Sequence, residues 1–269
     1  YHLLQSVMQS VGLFDHIHLR KRARGIKLEV DDPVIPTDER NTAWQAAQLF
    51  FQRLPGVNGV EIEIEKNIPA EAGMGGGSAD AAAVLLGLDA LFGTGLDLAE
   101  LKGMGVKIGA DVPFCITGGT QFAEGIGDDL TQLPSVPPGI VVLVKPEVSV
   151  STKMVYQMLE TDVFGTQYSK NFIRHLTAGQ DWPSLALELG NVLESVTIKL
   201  HPEIDLWKER LRQAGALGVL MSGSGSTVFG VFTEQTLAQT FQQRWQGQAQ
   251  VFVTHPVGRG IGEANGGDL

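Results

Sequence analysis

The sequence predicts an α+β protein built as two lobes, on three observations. In the N-terminal half, short strands with one apolar face alternate with helices, and a glycine-rich loop joins one such strand to an Ala/Leu-rich helix. In the C-terminal half, the order helix–strand–strand–helix–strand over residues 203–254 is most of a ferredoxin-like α+β sandwich. The pattern changes after Pro146, which sets an N-terminal lobe at 1–147 and a C-terminal lobe at 148–269.

Each element has a local reason. Ile26, Leu28 and Val30 alternate with polar residues, as a half-buried strand requires. Residues 31–38, rich in Asp and Pro, read as a loop. Asn41 is a suitable N-cap for a helix over 42–54, with Ala43, Ala46, Ala47, Phe50 and Leu54 at helical spacing. Val60, Ile62 and Ile64 alternate with Glu61, Glu63 and Glu65, giving a second one-sided strand over 59–65. The run from Pro69 through Gly73, Gly75, Gly76, Gly77 and Ser78 leads into a buried helix ending near Phe92, ahead of Gly93. Asp97 and Glu100 form a capping pair for a short helix over 98–104. Residues 139–144 form an apolar strand bounded by Pro137–Pro138 and Pro146. An amphipathic helix follows at 203–214, with Ile204, Trp207 and Leu211. Strands are expected at 217–222, 227–232 and 250–254, and a Gln-rich helix at 234–246.

Charge and composition exclude several classes. Twenty Lys and Arg stand against thirty Asp and Glu in 269 residues, a net charge of −10, which disfavours a nucleic-acid partner because phosphate backbones attract basic surfaces. No 18-residue apolar window exists, so neither a spanning helix nor a membrane partner is expected. The one cysteine, Cys115, makes neither an intramolecular disulfide nor a zinc site by itself, and fits a reducing cytoplasmic location. The histidines show no metal-ligand spacing, so the sequence assigns no metal ligands.

Strand, glycine-rich loop, then helix is an arrangement that surrounds an anion with backbone N–H groups, favoured by the helix dipole. Gly75, Gly76 and Gly77 let the backbone approach a phosphate closely, and Ser78 adds a hydroxyl. The loop is not a Walker A motif, since Gly-Lys-Ser/Thr is absent, and HRD and DFG kinase signatures are absent too. Asp111, in the small apolar setting IGADVPFC, is a candidate proton acceptor for phosphoryl transfer. A plain alternative is an Asp capping a turn before Pro113. Ser222–Ser226, taken alone, reads as a hairpin, Tyr156 as a core aromatic, and Lys66 as a solvated charge.

In this order the motifs PAEAGMGGGSADAA and LMSGSGSTVFGVF resemble the phosphate-binding and C-terminal glycine motifs of the GHMP kinases. GADVPF, the opening Tyr1-His2 and FAEGIGDDL resemble the branch that phosphorylates a cytidine-diphosphate-linked sugar alcohol, and the similarity runs from Tyr1 to about His255. The resemblance implies a two-lobed fold: an N-terminal lobe like domain 2 of ribosomal protein S5 and a ferredoxin-like C-terminal lobe, with the site between them. It implies ATP as phosphoryl donor with Mg²⁺, and a small-molecule cytidine diphosphate substrate. Ala72, Gly73, Met74, Gly75, Gly76, Gly77 and Ser78 then fall on the phosphate loop, and Asn41 and Lys66 near adenine. Asp111 falls on the catalytic aspartate. Tyr1, His2, Thr152 and Tyr156 fall on the cytidine pocket, with Tyr156 stacking on the base, and Ser222 and Gly223 near the phosphates and the acceptor. Homoserine and mevalonate kinases share the superfamily, and a non-catalytic nucleotide-binding module is a further alternative. The family lysine that pairs with the catalytic aspartate lies ahead of the Tyr-His pair, so no residue here is assigned to it. Glu71 and Ala72 stand where relatives often carry glycines.

Overall fold

The N-terminal half is organised around the apolar faces that the strand alternation creates. The computed structural model describes residues 5–54, 56, 59–159 and 168–262. Strands β2 (His16–Lys21), β3 (Gly25–Val30) and β4 (Gly59–Glu65) form one sheet in the order β2-β4-β3, with β2 antiparallel and β3 parallel to β4. The register pairs Ile26 with Val60, Leu28 with Ile62 and Val30 with Ile64, so one face is continuously apolar. Helices α1 (Thr42–Arg53) and α2 (Gly76–Phe92) cover it, burying Ala43, Ala46, Ala47, Phe50, Ala81, Ala82, Val84, Leu85 and Leu88. The other face carries ion pairs such as Arg20–Glu63 and Lys27–Glu61. Capping agrees with the sequence: Asn41 accepts from the Ala43 N–H, and Asp97 and Glu100 form a complete capping box on α3 (Leu98–Gly105). A short helix α4 (Val112–Thr117) leads to β5 (Thr120–Glu124) and β6 (Asp129–Gln132), which join β1 (Ser6–Gln9) in a second sheet, β1-β5-β6.

The C-terminal sheet is antiparallel throughout. It contains β7 (Ile140–Lys145), β8 (Gly218–Met221), β9 (Val228–Phe232) and β10 (Gln250–Thr254), in the order β10-β7-β9-β8. Between β7 and β8 lie α5 (Thr152–Met158), α6 (Tyr168–Thr177), α7 (Trp182–Ala186), α8 (Glu194–Leu200) and α9 (Glu203–Gln213), and α10 (Gln235–Trp245) joins β9 to β10. This is the βαββαβ arrangement of a ferredoxin-like lobe, with extra helices in the first crossover. Val142, Val144, Ile204, Trp207, Leu211, Phe232 and Phe241 form its core. Strand β7 lies ahead of the expected division at 147/148, yet its hydrogen-bonded neighbours are β9 and β10.

Candidate active site

The loop after β4 delivers an open helix start. Gly75 occupies the N-cap of α2 with φ 67° and ψ 20°, a left-handed conformation that suits glycine, and no side chain caps the helix. The first intrahelical bond runs from the Ala79 N–H to the Gly75 carbonyl, and the N–H groups of Gly76, Gly77 and Ser78 have no acceptor among the described residues. The Thr42 hydroxyl donates to the Gly77 carbonyl at 2.6 Å, tying the start of α1 to this turn. A side chain on Gly76 would stand 3.0 Å from Ile68 Cγ2, so glycine here allows the close approach of strand and helix.

The two glycine loops interlock across the lobes. Gly73 has φ 71°, and a Cβ there would lie 2.5 Å from the Ser222 carbonyl and 2.8 Å from that of Gly225. The Ser222 hydroxyl donates to the Gly73 carbonyl at 2.8 Å, and the Thr227 N–H to that of Ala72 at 3.2 Å. Beside this junction opens a cleft of about 460 Å³, lined by Glu71, Gly73, Ser149, Val150, Ser151, Thr152 and Gly225. Thr152 Oγ1 and Ser224 Oγ, 2.8 Å apart, share a hydrogen bond at its wall. Met74 is half-buried, and Glu71 is exposed with φ 50°.

Lys66 is not a solvated charge. Its side chain is 7% exposed, and Nζ lies 2.5 Å from Asp15 Oδ2 and 2.8 Å from Asp80 Oδ2, with those side chains 3% and 7% exposed. Asp15 Oδ1 also accepts from the Asn67 and Ile68 N–H groups. Burial disfavours the ammonium, but the charge of Asp80 and the bonds to Asp15 and Asp80 outweigh it, and the Lys66 pKa is raised. Two carboxylates share one ammonium, and Asp80 Oδ1 is buried without a hydrogen-bond partner. Burial raises Asp80 to about 7, against the opposing pull of Lys66. The group lies under the first turn of α2, where a Cβ on Gly76 would be 3.6 Å from Lys66 Nζ.

Asp111 stands at the N-cap position of α4 and its carbonyl accepts from the Cys115 N–H, but its side chain makes no cap bond. The turn-capping alternative is thereby corrected. Burial raises its pKa. A Cβ on neighbouring Gly109 would be 3.8 Å from Ser78 Oγ, so the segment leading to Asp111 lies against the first turn of α2. Burial raises the Tyr156 pKa, and the negative charge of Asp111 raises it further, so the phenol on α5 is within electrostatic range of this carboxylate from the other lobe. Tyr156 also packs against the C-terminal core. Burial, reinforced by Asp111 and Asp80, pushes the Cys115 thiol up to about 12, which keeps it neutral.

Of the expected site residues the structure places Gly73 and Thr152 in the lining of the cleft, Ser222 against Gly73, and Gly75 to Ser78 at the open start of α2. Asn41 is adjacent through Thr42, but its side chain is committed to the Ala43 N–H and the Pro36 carbonyl. Tyr1 and His2 lie outside the described residues. Sequence reasoning missed Asp15 and Asp80. Asp80 carried a readable signal, a carboxylate inside an otherwise apolar helix that needs a partner when buried.

This two-lobed fold, with one glycine loop opening a helix and the other meeting it across a cleft, is that of the GHMP kinases. The sequence matches "GHMP kinases N terminal domain" over residues 41–119 and "GHMP kinases C terminal" over 171–250. It is 43% identical to the 4-diphosphocytidyl-2-C-methyl-D-erythritol kinase of Acetivibrio thermocellus, over 96% of this chain and 91% of that one. It is 41% identical to the enzyme of the same name from Clostridium botulinum, over 96% and 92%. A crystal structure of 4-(cytidine 5'-diphospho)-2C-methyl-D-erythritol kinase superposes with a TM-score of 0.80 at 32% identity, covering 95% of this chain and 91% of that one. A homoserine kinase from Cytophaga hutchinsonii shares the fold, with a TM-score of 0.81 at 24% identity over 94% and 90%. The chain belongs to the GHMP kinases and, within them, to the 4-diphosphocytidyl-2-C-methyl-D-erythritol kinase family.

Proposed function

We propose that this chain transfers the γ-phosphoryl group of ATP to the 2-hydroxyl of 4-diphosphocytidyl-2-C-methyl-D-erythritol, a step of non-mevalonate isoprenoid biosynthesis. The observation that carries the mechanism is Asp111, a half-buried carboxylate with no side-chain cap bond, on a segment packed against an open helix start. The N–H groups of Gly76, Gly77 and Ser78 seat the phosphates. Asp111 orients the acceptor hydroxyl and takes its proton as the oxygen–phosphorus bond forms and the bond to ADP breaks. Tyr156 and Thr152 line the cytidine side, and Ser222 and Gly223 close the site from the C-terminal lobe.

Mg²⁺ fits the same place. Hard oxygen ligands are at hand in the Ser78 hydroxyl and the exposed Glu71 carboxylate, and Mg²⁺ commonly binds through one or two protein oxygens plus substrate phosphates. Among the described residues no group of three or more His, Cys, Asp or Glu could hold a metal alone. Held by these oxygens, Mg²⁺ would neutralise charge on the phosphates. By sheet membership the division between the nucleotide lobe and the substrate lobe falls ahead of Ile140. Among the described residues no helix is long and apolar enough to cross a membrane, and with Cys115 a free thiol we place the protein in the cytoplasm. The test is phosphate transfer from ATP to the cytidine substrate, to homoserine and to mevalonate. Transfer to the cytidine substrate alone is expected; preference for either other alcohol, or ATP binding without transfer, overturns the assignment.

A further inference from the structure

Side chains of the segment 191–197 hold the C-terminal glycine loop along most of its length. Asn191 Nδ2 donates to the Met221 carbonyl at 2.9 Å and to the Gly223 carbonyl at 2.7 Å, while its Oδ1 accepts from the Leu193 N–H. Glu194 Oε1 accepts from the Met221 N–H at 2.8 Å. Glu194 Oε2 receives Lys208 Nζ at 2.5 Å, and the Lys208 side chain is only 6% exposed. Thr197, fully buried, donates its hydroxyl to the Ser224 carbonyl at 3.1 Å. Three positions spaced three apart, 191, 194 and 197, each commit at least one side-chain polar atom to the backbone of residues 221–224.

The consequence is directional. Because a peptide N–H points opposite to the carbonyl of the same trans unit, tying the Gly223 carbonyl to Asn191 turns the Ser224 N–H away from the Asn191 side chain. Among the described residues neither the Gly223 nor the Ser224 N–H has an acceptor, although both adjoin a loop that meets the phosphate loop at Gly73. We propose that Asn191, Glu194 and Thr197, with Lys208 holding Glu194, are positioning residues of the phosphoryl-transfer site. They fix the backbone of Ser222–Gly225 so that this loop meets the substrate and the phosphate loop in one orientation. The inference deepens the proposed function and rests on it for the identity of the substrate.

Two variants test it in the intact protein. Asn191→Asp keeps the shape but removes both donated bonds. Thr197→Val removes one hydroxyl at constant volume, with Thr197→Ser as the variant that keeps the bond. Backbone hydrogen exchange over 221–227 reads the bracket directly, and steady-state kinetics reads its consequence. Asn191→Asp is expected to lower kcat about 100-fold, the scale on which a misplacement of about 1 Å acts, and Thr197→Val about fivefold. ATP affinity should stay within about twofold, and exchange at the bonded N–H groups of Met221, Ser222 and Gly225 should rise while that of the first turn of α2 does not. Thr197→Ser should restore both. The proposal is overturned if exchange and kcat are unchanged in Asn191→Asp and Thr197→Val, or if a folded variant loses thermal stability with wild-type kcat. Should the wild-type protein fail to phosphorylate the cytidine substrate, the proposed reaction falls, while the exchange measurement still decides the bracket.

Discussion

Each lobe rests its glycine loop on a buried lysine, and the two supports differ in what they leave unspent. In the C-terminal lobe one ammonium meets one carboxylate: Lys208 takes one oxygen of Glu194, and the Met221 N–H takes the other. Every strong acceptor is used, and the arrangement fixes backbone geometry. In the N-terminal lobe one ammonium serves two carboxylates, and Asp80 Oδ1 is left buried and bare. The satisfied pair fixes backbone geometry, whereas the shared lysine leaves a carboxyl, that of Asp80, which burial raises to about 7. The difference teaches that similar residue types under similar loops can serve fixed geometry in one place and charge balance in the other.

The largest effect should come from the carboxylate between the lobes. Asp111→Ala is expected to lower kcat at least about 100-fold, the scale of a positioned acid–base group, with ATP binding retained. Turnover like that of the wild type would remove Asp111 from the chemistry. Since burial raises its pKa, the acid limb of the wild-type pH–rate profile should lie above the ordinary carboxylate range.

Next comes the junction of the loops. Gly73→Ala places a Cβ 2.5 Å from the Ser222 carbonyl at a positive φ, so the loops must separate. A loss of roughly tenfold or more in kcat/KM is expected, seen with both substrates because the junction serves both. A loss confined to one substrate would mean that the loops act separately.

Tyr156→Ala should raise KM for the cytidine substrate by about tenfold, the scale of a lost base–aromatic stack, and leave KM for ATP nearly unchanged. Equal rises in both would contradict a stacking role.

The smallest effect sharpens the contrast between the two lysines. Asp80 lies near 7 in the folded chain, whereas an ordinary carboxylate titrates at about 4. Between those values the folded chain keeps a proton that the unfolded chain has released. Stability therefore falls as pH rises from about 4 to about 7 and levels off above. Asp80→Asn should flatten this part of the curve, measured by urea unfolding at several pH values. A curve parallel to that of the wild type would show that the bare oxygen of Asp80 does not set it.

How much was legible varies with the range of the interaction. Caps at Asn41 and Asp97, the strands over 25–30 and 59–65, and the helix ending at Phe92 follow from residues within a few positions of one another. Strands β1, β2, β5 and β6 and helices α4 to α8 were not read from the sequence, most being four to seven residues long, too few for a period to declare itself. The glycine loop opening α2 was legible because its glycines and the helix after it are contiguous. Lys66 was misread as solvated because nothing beside it announces Asp15, 51 positions away.

The sequence by itself determined the α+β class, the ferredoxin-like order of the second lobe and the glycine loop that opens α2, since backbone preference and hydrophobic period act over short stretches of chain. Only the tertiary structure decided that Lys66 is shared by two carboxylates, that the Asp111 side chain makes no cap bond, and that Asn191 and Glu194 hold a loop about 30 residues downstream. Those are choices of hydrogen-bond partner among groups that local pattern leaves equivalent, and burial makes each of them only when distant segments meet.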